Sequence, residues 1–138
     1  MRRLAWAIVG LLVCGALAAP WISPHAPHEQ FSDRSYAPPT RVHLRHGDMW
    51  HAPFVYRQVL VDRVNRQFAD DTSHRVPLRW FHGGTLVSVN AEDGPLLWLG
   101  ADGLGRDVWS RLWHGARLSL GVAFAGAIGA LLVGTFLG

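Results

Sequence analysis

From Leu118 to Gly138 the chain carries no charged residue, and this run constrains the fold more than any other stretch. A helix needs roughly 20 apolar residues, rising about 1.5 Å each, to cross the hydrocarbon core of a bilayer. The run is too long and too uniformly apolar for the surface helix of a soluble domain. A second uncharged run, Leu4 to Ile22, follows Met1, Arg2 and Arg3 and is interrupted only by Pro20. Nearly all the charge lies between the two: all ten acidic residues fall between Glu29 and Asp107, and eleven of the thirteen arginines between Arg34 and Arg117. The reading is a membrane α-helical chain, with two transmembrane helices (1–22 and 118–138) flanking a polar middle.

Orientation follows from the flanks. Arg2 and Arg3 put the N-terminus on the cytoplasmic side, with Trp6 and Trp21 near the two interfaces, so the middle segment is external. The competing reading of the first run is a cleaved signal peptide, because two arginines, an apolar stretch and Ala16-Leu17-Ala18 also fit that pattern. The chain would then be a secreted or membrane-tethered binding module with Leu118 to Gly138 as its anchor. A lipid anchor at Cys14 fits poorly, since bulky Val13 precedes it. Within the second run, Gly126, Ala130, Gly134 and Gly138 fall four apart, a small-residue stripe along which another helix can approach.

The middle, 23–98, reads as a small α+β insertion. Pro24, Pro27, Pro38 and Pro39 disfavour helix, so Ser23 to Pro53 is expected to be an extended linker. Val55, Leu60, Val61, Val64 and Phe68 form a partial helical stripe that predicts a short amphipathic helix over 54–68, closed by a polar turn at Asp70-Asp71-Thr72-Ser73. Two strand-like pieces, 76–81 and 85–89, flank His82-Gly83-Gly84, a hairpin signal. A further turn is expected at 90–95.

Several function classes find little support. The arginines alternate with acidic residues instead of clustering, which argues against nucleic acid. Cys14 is the sole cysteine, so neither an intrachain disulfide nor a thiolate metal cluster can form. His25 and His28, and His43 and His46, are three apart with His51 nearby, yet they lie in Pro-rich or Arg-rich sequence without the scaffold of a zinc site. No nucleophile-elbow sequence surrounds any serine. The glycines at 100, 103 and 105 lack the Lys-Ser/Thr ending of a phosphate loop. No enzyme and no cofactor is expected.

The informative stretch is 99–117. Asp102 is placed to cap a helix, with Gly100, Gly103 and Gly105 permitting a tight turn beside it. Trp109, Leu112, Trp113, Ala116 and Leu120 then follow three-and-four spacing, with Arg106, Asp107, Ser110, Arg111 and His114 on the other side. This predicts an interfacial amphipathic helix feeding the second span, an Asp107–Arg111 pair at i,i+4, and Arg117 reaching the lipid headgroups.

These residues resemble the permease subunits of the binding-protein-dependent ABC importers for dipeptides, oligopeptides and nickel. The family pattern Leu-Gly-Thr-Asp, Gly-Arg-Asp, Ser-Arg and Gly-x-Arg-x-Ser-Leu is matched by Leu99, Gly100, Asp102, Gly105, Arg106, Asp107, Ser110, Arg111, Gly115, Arg117, Ser119 and Leu120, with Ala101 where Thr is usual. The resemblance implies a multi-pass subunit of the bacterial inner membrane that forms part of a translocation path. It also implies a second permease subunit, two ATP-binding subunits that hydrolyse the ATP, a periplasmic substrate-binding protein, and contact with membrane lipid. Nothing here corresponds to the cytoplasmic Glu-Ala-Ala-type docking loop of the family, and Gly138 closes the sequence while it is still apolar. The expectation is therefore a fragment of a multi-span permease.

Overall fold

A computed structural model describes residues 2–46 and 49–138. Met1, the head of the expected first span, lies outside the described residues. Helix α1 (Arg2–Leu17) is followed by the single turn α2 (Ala19–Ile22). Pro20 has no N–H and its ring crowds the preceding turn, so the helix breaks at Ala18, whose carbonyl takes the amides of Trp21 and Ile22. The chain then runs through a 3₁₀ turn (Ser32–Arg34), strands β1 (Val42–His46), β2 (Met49–Asp62), β3 (Gln67–Pro77), β4 (Arg79–His82) and β5 (Thr85–Ser88), and a second 3₁₀ turn (Ala91–Asp93). Helix α3 (Val108–Leu137) completes it.

One described helix, α3, is long and apolar enough to cross a membrane. It is continuous over 30 residues, so the expected interfacial helix and the expected second span are parts of one rod that starts at Val108. The preceding residues of the 99–117 stretch form a loop.

The insertion is β-rich, which corrects the expected α+β character. Strands β1, β2 and β3 form an antiparallel sheet in that order, and β4 and β5 form a separate hairpin at the expected Gly83-Gly84 turn. The helix predicted over 54–68 is absent: that stretch is the end of β2, a tight turn and the start of β3. Phe54, Val55, Tyr56, Val59 and Val61 are aromatic or β-branched and favour the pleated surface. Asp62 builds the turn, accepting from the amides of Val64 and Asn65 at 2.8 and 3.1 Å, while Arg66 takes a left-handed φ of 52°. Those bonds, led by the Asn65 amide, hold the Asp62 carboxyl below its usual range.

The polar run Asp70 to Ser73 is likewise within β3 and is no chain-reversing turn. It sits at a break in register, where Tyr56 pairs with Arg75 but Arg57 pairs with Asp71. The Ser73 amide and hydroxyl both donate to Asp71, so the turn signal is spent on an irregularity within the strand. The expected linker also contains β1 and the start of β2.

The core of the insertion is Val55, Val76, Leu78 and Leu96, with Val87, Val89 and Trp98 packed around it. Each such side chain contributes about 1.5–3 kcal/mol on burial, and the number is small because so short an insertion encloses little volume. Arg34 is also buried, 8% exposed, and its guanidinium donates to the Gln58 carbonyl. That bond ties the 3₁₀ turn to β2.

Candidate functional site

The chain after Leu99 turns back sharply before entering α3. Gly100 and Gly105 adopt φ of +79° and +73°, and a bridge between Ala101 and Asp107 closes the loop. The Asp102 amide donates to the Arg106 carbonyl at 3.0 Å, and the Gly105 amide returns to the Asp102 carbonyl at 2.9 Å.

Asp102 is the hub of this loop and caps no helix. Its Oδ1 accepts from the amides of Leu104 and Arg106, both at 2.9 Å. Its Oδ2 accepts from Arg106 Nε and Nη2, at 2.9 and 2.8 Å, and from Arg111 Nη1. Burial pushes this carboxyl upward, but the amide and guanidinium of Arg106 and the amide of Leu104 outweigh it, lowering the pKa to about 2. Two guanidiniums thus share one carboxylate at the base of α3.

The cap is Asp107, almost wholly buried at 1% exposure. Its Oδ1 accepts from the Trp109 amide at 3.0 Å and its Oδ2 from the hydroxyl of fully buried Ser110. The helix starts here because Gly105 holds a left-handed conformation that continues no right-handed helix. The expected Asp107–Arg111 pair is thereby replaced by Asp102–Arg111: with Asp107 turned inward as a cap, Arg111 reaches back over the loop.

The first turns of α3 rest on the residues that follow α1. Trp109 Nε1 donates to the Ile22 carbonyl at 3.0 Å, and Trp113 stacks edge-on against Trp109 with centroids 5.6 Å apart. The Trp113 ring lies over Gly15, where any Cβ would fall 2.2 Å from it. Nδ1 of His114 lies 2.9 Å from the Ser110 carbonyl and so carries the proton, with the Ser23 hydroxyl 3.4 Å away.

A strap from Phe31 to Thr40 then crosses the glycine loop. The Phe31 amide donates to the Gly105 carbonyl at 3.0 Å, the Tyr36 amide to Asp102 at 3.1 Å, and the Ala101 amide to Ala37 at 2.9 Å. Thr40 closes it by exchanging two bonds with Leu97, through its amide at 2.8 Å and its hydroxyl at 3.1 Å. A Cβ on Gly100 would meet the Ala37 carbonyl at 2.5 Å, so the loop is pressed against the strap as well as bent.

Of the ten residues singled out in the sequence, Gly100, Asp102, Gly105, Arg106, Asp107, Ser110 and Arg111 thus form one cluster. Gly115, Arg117 and Ser119 stand apart on exposed faces of α3. The stripe glycines Gly126 and Gly134 meet nothing within 4 Å. Sequence reasoning missed the strap residues, Gly15 and Ile22. Gly15 was findable as the glycine of α1 nearest the break, whereas a backbone carbonyl such as that of Ile22 leaves no sequence signal. The histidines at 43, 46 and 51 gather around Phe54 and Tyr56, and among the described residues no group of three or more metal-ligating side chains is arranged to hold an ion.

Residues 3–39 match the family profile described as the N-terminal TM domain of oligopeptide transport permease C. The chain is 30% identical over 128 residues to the di/tripeptide transport system permease protein DppC of Pseudomonas aeruginosa, covering 93% of this chain and 26% of that protein. It is 30% identical over 124 residues to the dipeptide transport system permease protein DppC of Escherichia coli K12, covering 86% of this chain and 25% of the relative. Against the oligopeptide transport system permease protein OppC of Bacillus subtilis it is 46% identical over 52 residues, 36% of this chain and 17% of the relative. The chain spans about a quarter of the length of the first two relatives. No solved structure matches it.

Proposed function

We propose that this chain, a relative of the permease subunits of peptide ABC importers, forms part of the substrate path of such an importer in the bacterial inner membrane. The observation that carries the proposal is the cluster around Asp102 and Asp107, which unites seven residues of the matched pattern and ties the head of α3 to the strap from Phe31 to Thr40. In this reading α1 with α2 is a first span, with Arg2 and Arg3 cytoplasmic, and α3 is a second. The β-rich insertion lies outside. A second permease subunit completes the path, two ATP-binding subunits drive it, and an external binding protein delivers the substrate. Peptides are favoured over nickel because the relatives are named for peptides.

Helix α1 supports this reading over a tethered module with a cleaved leader. Ala16 is 1% exposed and Gly15 lies under Trp113, so removing the segment would uncover the base of α3. The role of the cluster is mechanical: alternating access needs helices that move against one another, and here the external layer is fastened to the head of α3.

Membrane vesicles carrying this chain with the ATP-binding subunits and no other permease are expected to hold the chain as an integral protein and to accumulate no labelled dipeptide. Accumulation there would refute the proposal. A mature N-terminus near Ala19 would do the same in favour of the tethered module.

A further inference from the structure

The β4–β5 hairpin turns apolar surface outward beside the end of the first helical segment. Strand β5 packs against α2, and β4 is bonded to β5 with Trp80 opposite Val87. Trp80, Phe81 and Leu86 are all exposed, and so is Trp21 on α2. From Arg79 to Ser88 there is no carboxylate, and the Arg79 guanidinium is engaged at the foot of the hairpin, donating to Asn90 Oδ1 at 2.8 Å. The β2–β3 turn differs in kind: Val64 at its tip is 90% exposed, but it stands among Asp62, Arg63 and Arg66.

Phe81 supplies an independent observation. Its φ of 52° lies in the left-handed region, which an aromatic residue rarely adopts and which costs energy. The side chain is 79% exposed, so contacts within the chain do little to offset that cost. Whatever offsets it lies outside the chain and takes up an apolar ring.

Position decides what that is. Trp109 Nε1 is bonded to the Ile22 carbonyl, so α2 lies at the head of α3, where Trp109 and Trp113 precede the uncharged run. Aromatic side chains of this kind settle where hydrocarbon meets the lipid headgroups. We propose that the β4–β5 hairpin is a lipid anchor, with Trp80 and Phe81 seated in the headgroup layer beside α2, holding the insertion down on the bilayer. The proposal rests on the reading of α1 with α2, and of α3, as spans. A hairpin packed against the end of a span reaches that layer without a second protein, which favours lipid over a partner subunit as the occupant.

The test is spin-label accessibility in phosphatidylcholine nanodiscs that hold one chain each, so that no second copy can cover the hairpin. In a Cys14→Ser background, single labels are attached through Leu86→Cys on the hairpin, Val64→Cys on the β2–β3 turn and Ile128→Cys within α3. The label at position 86 is expected to be shielded from a water-soluble nickel chelate and open to oxygen, like that at 128, while the label at 64 stays open to the chelate. Adding Trp80→Ser and Phe81→Ser should return the label at 86 to water; both side chains are exposed, and circular dichroism verifies that the fold is kept. The anchor is overturned if positions 86 and 64 are equally open to the chelate, or if 86 stays shielded in the double variant. A shielded 128 with an open 86 refutes the anchor alone, whereas an open 128 refutes the spans and the anchor with them.

Discussion

The amide of Phe31 donates to the carbonyl of Gly105 at 3.0 Å, and the Phe31 carbonyl lies 2.0 Å from where a Cβ on Gly105 would project. The strap and the loop are thus in backbone-to-backbone contact at a residue with φ +73°. Gly105→Ala introduces both a strained conformation and a clash with a carbonyl that cannot rotate away. It should cost about 1–3 kcal/mol of local stability, seen as faster hydrogen exchange at the Phe31 and Tyr36 amides. Gly115→Ala meets nothing within 4 Å inside a helix, and should be neutral or stabilising by up to about 1 kcal/mol. Equal protection in both variants would contradict the strap.

Asp102 makes the loop sensitive to acid. Its folded pKa of about 2 lies below the ordinary 3.8, so between these values the unfolded chain binds more protons than the folded one. The stabilisation is complete above the ordinary value and is lost as pH falls through about 2. An NMR titration of the Asp102 carboxyl should locate that low midpoint, and Asp102→Asn should remove this part of the acid dependence while releasing Arg111. A midpoint at or above the ordinary value would show that the two guanidiniums do not hold it.

Gly15 sets how closely α1 approaches α3. Gly15→Leu must displace the Trp113 ring, at an overpacking cost of about 1–3 kcal/mol, and should weaken the near-ultraviolet circular dichroism of the Trp109–Trp113 pair. Gly10→Leu, where nothing lies within 4 Å, should leave that signal intact. The same spectrum in both variants would separate α1 from α3.

Trp109→Phe keeps an aromatic ring but removes the donor to the Ile22 carbonyl. The expected loss is about 1 kcal/mol, the net value of one hydrogen bond, measured by chemical denaturation in nanodiscs. Trp109→Phe as stable as the parent would reduce that contact to one of packing.

The apolar part of α3 from Leu118 onward was legible because an uncharged run needs no partner to be recognised, and the β4–β5 hairpin because Gly83 and Gly84 permit a left-handed turn by themselves. The β2–β3 hairpin was not. Val55, Leu60, Val61 and Val64 satisfy a helical stripe and a strand about equally, and the decision came from Asp62 folding the chain and from pairing with Val76 on the other strand. In the site, Asp102 and Asp107 are both acidic residues ahead of a helical pattern, and spacing alone could not choose between them. The choice depended on Gly105, whose conformation is enforced by Phe31 from a distant part of the sequence. Backbone contacts of that kind, such as Phe31 to Gly105 and Ala37 to Ala101, involve no particular side chain and so leave no trace in residue identity.

The continuity of α3 has a geometrical consequence. From its capped end at Asp107 to Leu137 it rises about 45 Å, with no proline and no break in its hydrogen-bonded ladder. Such a rod behaves as a lever whose short handle is the Asp102–Arg111 clasp. A tilt of about 5° imposed at the handle carries Leu137 sideways by about 4 Å over that length, a displacement the size of a side chain.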